Sequence, residues 1–178
     1  MELEQLKYPI GKFVVPTEID TDHIREWKIT IQELPQELEK LVKDLPQTEL
    51  NWIYRPDGWS VKQVVHHLAD SHMNSFIRFK LTLTENVPAI RPYEEQLWAA
   101  TPDGQDDDIS TSLLIIKGVH SRWHYLLDHL SEQDLNRLYF HPQHQRLYSL
   151  KEAIGLYDWH SLHHLAHIRQ ALQHKSIF

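Results

Sequence analysis

Apolar residues recur at three- and four-residue steps through four long stretches of the chain, the spacing that gives a helix one buried face. In the first stretch Ile24, Trp27, Ile31, Leu34, Leu38, Leu41, Val42 and Leu45 follow this step. They predict a helix over about 21–45, and Pro35, which has no amide hydrogen to offer residue 31, is expected to break or bend it. The second helix should open at Ser60, where Ser60-Val61-Lys62-Gln63 has the pattern of a capping box, and run to about Thr84. A third begins near 108–110 and continues to Leu130. A fourth repeats the capping box with Ser149 and Glu152 and extends to about His174.

Between the third and fourth helices, RLYFHPQHQRLYSL alternates apolar and polar residues, which fits a short hairpin although no Asn-Gly or Asp-Gly turn is present. The segment 86–107 is about twenty residues long and punctuated by proline. Connections of that length in compact proteins are more often lids or interaction loops than passive linkers, so it is expected to cover a site.

Composition narrows the class. With 178 residues, 41% of them apolar and only five glycines, the chain can bury a sizeable core and reads as one predominantly helical domain over 1–178. No run approaches the roughly 20 apolar residues of a membrane span, and the N-terminal stretch lacks a signal-peptide pattern, so a cytoplasmic location and no membrane partner are expected. A net charge of −7 argues against a nucleic-acid partner, which would call for a basic face. The run Asp106-Asp107-Asp108 reads as a solvated loop leading into a helix. There is no cysteine, so disulfides, thiolate metal sites and a cysteine nucleophile are all excluded.

Fourteen histidines change the picture, because without cysteine the imidazole is the main soft-to-borderline metal donor available. On the second helix Lys62, His66 and Asp70 form a polar stripe, whereas His67 falls with Val64, Leu68 and Ser71 on the inward face. On the fourth, His160 and His164 are one turn apart and their rings can converge on one ion. His163 and His167 form a competing pair. The apolar stripe Ala153, Leu156, Tyr157, Ile168 and Ala171 favours the first pair and puts the second nearer its edge. Three neutral imidazoles would leave a zinc-like ion with its full +2 charge and an open fourth position, as catalytic zinc sites do. Ser161 stands where a His-Glu-x-x-His peptidase would carry its glutamate, which disfavours that chemistry. Asp70 and Asp158 are candidates to orient a ligand ring or act as general base.

The stretch RPDGWSVKQVVHHLADSHMNSFIRFKLTL and the later LYDWHSLHHLAHI resemble the DinB-like superfamily, in particular its YfiT branch. The resemblance covers nearly the whole chain and implies an all-α, up-down-down-up four-helix bundle with short extra segments and a long loop between helices two and three. It also implies a divalent metal site at one end of the bundle, one ion per chain, and a homodimer. The histidine of the family's Trp-Ser…His-Leu-x-Asp motif falls on His67, and the pair of its Trp-His-x-x-x-His motif falls on His160 and His164.

Three functions follow as expectations. The first is a metal-dependent hydrolase acting on a small molecule, with an activated water as nucleophile. The second is transfer of a low-molecular-weight thiol, bacillithiol, to an electrophile. The third is a non-catalytic bundle stabilised by its ion. Zinc suits the ligand set best, with nickel next. Arg78, Tyr93, Glu94, Trp98, His120, Trp123 and His141 are candidates to line a substrate pocket.

Overall fold

The computed structural model describes residues 3–178. In chain order the elements are α1 (Leu3–Lys7), α2 (Thr21–Val42), α3 (Gln47–Leu50), α4 (Val61–Thr84), α5 (Glu95–Trp98), a 3-10 turn (Asp103–Gln105), α6 (Ser110–Asp128), α7 (Glu132–Leu135), β1 (Leu138–His141), β2 (Arg146–Ser149) and α8 (Leu150–His174). The caps fall where the spacing predicts. Both boxes are formed, with the Ser60 and Ser149 hydroxyls accepting from the amides of Gln63 and Glu152 while those side chains bond back to the cap amides. The expected break at Pro35 does not occur: α2 runs unbroken through it, with Ile31, Leu34 and Leu38 on either side fully buried. The hairpin forms, Leu138 opposite Ser149 and His141 opposite Arg146.

Four helices carry the fold, and their side-chain contacts give the direction of each. Along α4 and α6, His66 meets Ser112, His72 meets His120 and Phe79 meets Trp123, so the two run parallel. Along α2 and α8, Trp27 lies against Gly155, Thr30 against Asp158 and Glu37 near Arg169, so these also run parallel. Between the pairs the order reverses, with Ser71 on Tyr157 and His67 on both His160 and His164. The result is an up-down-down-up bundle in which each helix packs on two others. A parallel pair of consecutive helices needs a connection that returns along the whole bundle, about 28 Å for a helix the length of α6. The long segment 86–107 is that return.

The core divides in two. One apolar cluster contains Leu34, Leu38, Val65, Leu68, Ile116, Leu165 and Ile168, the other Ile31, Phe79, Trp123, Leu127, Ile154 and Tyr157. Between them α4, α6 and α8 contribute His72, His120, His160 and His164, a polar layer across the bundle. Among the described residues no helix is long and apolar enough to cross a membrane.

Candidate metal centre

His67 comes from the second turn of α4, and His160 and His164 from the middle of α8. One ring nitrogen of each lies within 4.8 Å of the other two. His67 Nε2 and His160 Nε2 lie 3.3 Å apart, and two nitrogens bound to one tetrahedral zinc stand about 3.4 Å apart at ordinary bond lengths. The three rings meet where the inward faces of α4 and α8 oppose each other, two turns from the N-terminus of α4. Helical periodicity explains the selection, because residues four apart on α8 face the same way and only the inward face of α4 reaches them.

Burial decides the charge of these rings. It pushes His67 down to about 4, with His163 adding to the effect, and it holds His160 and His164 well below the usual histidine range, with the neighbouring histidines acting in the same direction. At neutral pH all three are therefore uncharged and can offer a lone pair. The donor set fits a borderline divalent ion such as zinc. Trp59, unassigned by sequence reasoning although it belongs to the Trp-Ser motif, packs on both His67 and His164 with ring centroids 4.6 and 6.4 Å away and shields that side of the cluster.

The competing pair is placed elsewhere. His167 stacks on Tyr54 at 3.8 Å and hydrogen-bonds the Lys7 carbonyl, and His163 stacks on Trp159 at 4.4 Å. Both are buried, not edge residues as the apolar pattern suggests, because α1 and the segment after it cover that side of α8. His66 is also buried rather than part of a solvated stripe. Its Nε2–H donates to the Asp106 carbonyl at 3.0 Å, and its Nδ1 accepts from the Ser112 hydroxyl at 2.8 Å. Neither Asp70 nor Asp158 hydrogen-bonds the three histidines: Asp158 faces Thr30 of α2, and Asp70 faces Asp103 and His66. The groups behind the cluster are instead His72, His120 and His167.

His160 opens onto a cavity of about 190 Å³ whose walls include Arg78, Tyr93, Glu95, His141 and Tyr157. Arg78, Tyr93 and His141 line this cavity, whereas His120 and Trp123 lie in the interior behind the site and Trp98 packs on Tyr93 from outside. Glu95 lines the wall where Glu94 was expected. A larger groove of about 540 Å³ between α2 and α6 contains no histidine. The segment 86–107 forms one wall and is strapped down: Gln63 bonds the Ala99 carbonyl, Trp59 bonds Gln96, and Lys62 pairs with Asp107 at 2.5 Å. The acidic run is therefore partly a fastening and not only a solvated loop.

The sequence pattern of the DinB superfamily matches residues 30–168. The chain is 45% identical over 165 residues to YfiT of Bacillus subtilis, covering 93% of both, and 47% identical over 166 residues to a protein of Bacillus cereus, covering 93% of this chain and 95% of that one. Both relatives bear the name "putative metal-dependent hydrolase". The solved structure of Bacillus subtilis YfiT, described as having an unusual four-helix bundle topology, superimposes with a TM-score of 0.93 at 43% identity over 96% of this chain and 98% of that one. A mycothiol-dependent maleylpyruvate isomerase shares the fold alone, with a TM-score of 0.65 at 13% identity over 84% of this chain and 63% of that one.

Proposed function

The chain belongs to the DinB superfamily, and from that premise we propose that it is a metal-dependent hydrolase of a small molecule, with His67, His160 and His164 holding one divalent ion, zinc before nickel. The observation that carries this reading is the convergence of three uncharged imidazoles beside a cavity that one of them lines. The chemistry that such an ion would supply is Lewis acidity, which would lower the pKa of a bound water to near 7.

The chain's own residues supply the rest. Arg78 places a guanidinium in the cavity wall and is held there by donating to the Arg91 carbonyl at 3.3 Å. The Tyr93 hydroxyl has no partner among the described residues, and burial pushes it up, so at neutral pH it remains a protonated donor for a substrate oxygen. Glu95 provides a carboxylate on the same wall. Trp59 keeps solvent from the other side of the cluster. An uncharged carbonyl compound, held by two donors beside three imidazoles, is the substrate class this wall suits.

The test strips the protein with a chelator, reloads zinc or nickel, and assays panels of esters and amides with and without a small thiol. Metal-dependent turnover without thiol, lost in His67→Ala together with the bound ion while the helical circular dichroism persists, is the expected result. Conjugation that requires both metal and thiol would replace hydrolysis by thiol transfer. Stoichiometric metal retained by His67→Ala would sink the ligand assignment.

A further inference from the structure

Histidine as a ligand presents one nitrogen to the metal, and which nitrogen has the lone pair depends on what the other one bonds. In this bundle the partners of the two α8 histidines are further histidines, and each series ends on a group that can only accept. The first series begins at Pro35. Having no N–H, Pro35 leaves the Ile31 carbonyl without its usual helical partner. His120 fills the gap, its Nδ1 lying 2.5 Å from the Ile31 oxygen.

A carbonyl cannot donate, so that proton must sit on His120 Nδ1 and His120 Nε2 must accept. His72 Nδ1, 2.8 Å away, then donates to it. This leaves His72 Nε2 to accept from His160 Nδ1–H at 3.0 Å, and His160 Nε2 is left with its lone pair facing His67. The second series is shorter. The Lys7 carbonyl, at the last residue of α1, accepts from His167 Nε2–H at 3.1 Å. His167 Nδ1 then accepts from His164 Nδ1–H at 3.4 Å, and His164 Nε2 also keeps its lone pair.

We infer that His72, His120 and His167 are positioning residues which, through two imidazole relays anchored on the carbonyls of Ile31 and Lys7, lock His160 and His164 in the Nδ1-protonated tautomer with Nε2 free for the ion. This rests on the metal-site reading above for its purpose, but the tautomers themselves are a property of the metal-free protein. Two independent series, from different helices and ending on different carbonyls, lead to the same nitrogen. The proline inside α2, which ordinary helix stability would remove, supplies one of the two anchors.

The experiment uses the full chain with 15N-labelled histidine rings, stripped of metal at pH 8, and reads the tautomer of each ring from long-range 1H–15N correlations. His160, His164, His72 and His120 should be Nδ1-protonated and His167 Nε2-protonated. Zinc affinity is then measured by competition with a chelating dye for the native chain and for His72→Leu, His167→Leu, His72→Gln, His167→Gln and Pro35→Ala. Each leucine variant should bind zinc about 10- to 100-fold more weakly. Glutamine can donate with its amide and accept with its oxygen, so the glutamine variants should recover part of that loss. Pro35→Ala returns an amide hydrogen to the Ile31 carbonyl and should weaken zinc binding in the same direction as His72→Leu.

His160 or His164 protonated on Nε2 in the native chain would overturn the inference, and so would leucine variants that fold and bind zinc as tightly as the native protein. If His72→Leu does not fold, the native tautomers, the Pro35→Ala affinity and the His167 pair still decide. A native chain with the stated tautomers and no zinc affinity would overturn the metal-site reading and the relays' purpose together, while the tautomer order stands as measured.

Discussion

Acid should dissolve the metal-free fold well above the range in which carboxylates titrate. His67, His120 and His167 are 4%, 1% and 2% exposed, and burial holds them at about 4, about 4 and about 3. In the unfolded chain each returns to about 6.5. Between those values the unfolded chain binds protons that the folded one refuses, so stability is complete above pH 6.5 and falls as the pH drops towards 4. At pH 5 each ring accounts for about 2 kcal/mol, and the three together for at most about 6 kcal/mol. That is comparable to the whole stability of an ordinary domain, about 5–15 kcal/mol. His72, His160 and His164 are displaced in the same direction by burial and by their neighbours. Asp70 and Asp158, which burial pushes up, act oppositely as they take up protons.

Urea unfolding of chelator-treated protein, followed by circular dichroism at pH 7.5, 6.5, 5.5 and 5.0, measures this directly. Unfolding free energy should fall by several kcal/mol across the series. Zinc at 100 times its Kd should add about 2.7 kcal/mol at pH 7.5, and this increment should shrink as protons compete for the ligand rings. A change below about 1 kcal/mol from pH 7.5 to 5.0, with an unaltered dependence on urea, would refute the claim that these rings are buried uncharged.

Two further outcomes test the packing around the site. A Cβ at residue 155 would lie 2.8 Å from the Trp27 ring where α2 and α8 touch, so Gly155→Ala should destabilise by about 1–3 kcal/mol although alanine is the better helix former, and an unchanged or higher Tm would contradict that contact. His66→Ala removes the bonds to the Asp106 carbonyl and the Ser112 hydroxyl, so amide exchange in 95–107 should accelerate while the middle of α6 stays protected; equal rates would mean that the loop is held by other groups.

The four long helices and the shared face of His160 and His164 are local facts. Ser60-x-x-Gln63 and Ser149-x-x-Glu152 satisfy the end amides of their own helices, and a four-residue step places His160 and His164 on one face wherever that helix goes. For these the sequence was sufficient. The burial of His66, the place of His72 in the polar layer and the survival of α2 through Pro35 were not readable, because each depends on a partner more than 40 residues away. His72 gains its meaning only when α4 and α6 lie side by side in parallel, with its ring facing His120. Pro35 is tolerated where α6 presents a donor to the carbonyl that the proline leaves free. Periodicity states which face of a helix turns inward, whereas the register between helices, and hence which buried polar groups meet, is decided by tertiary packing alone.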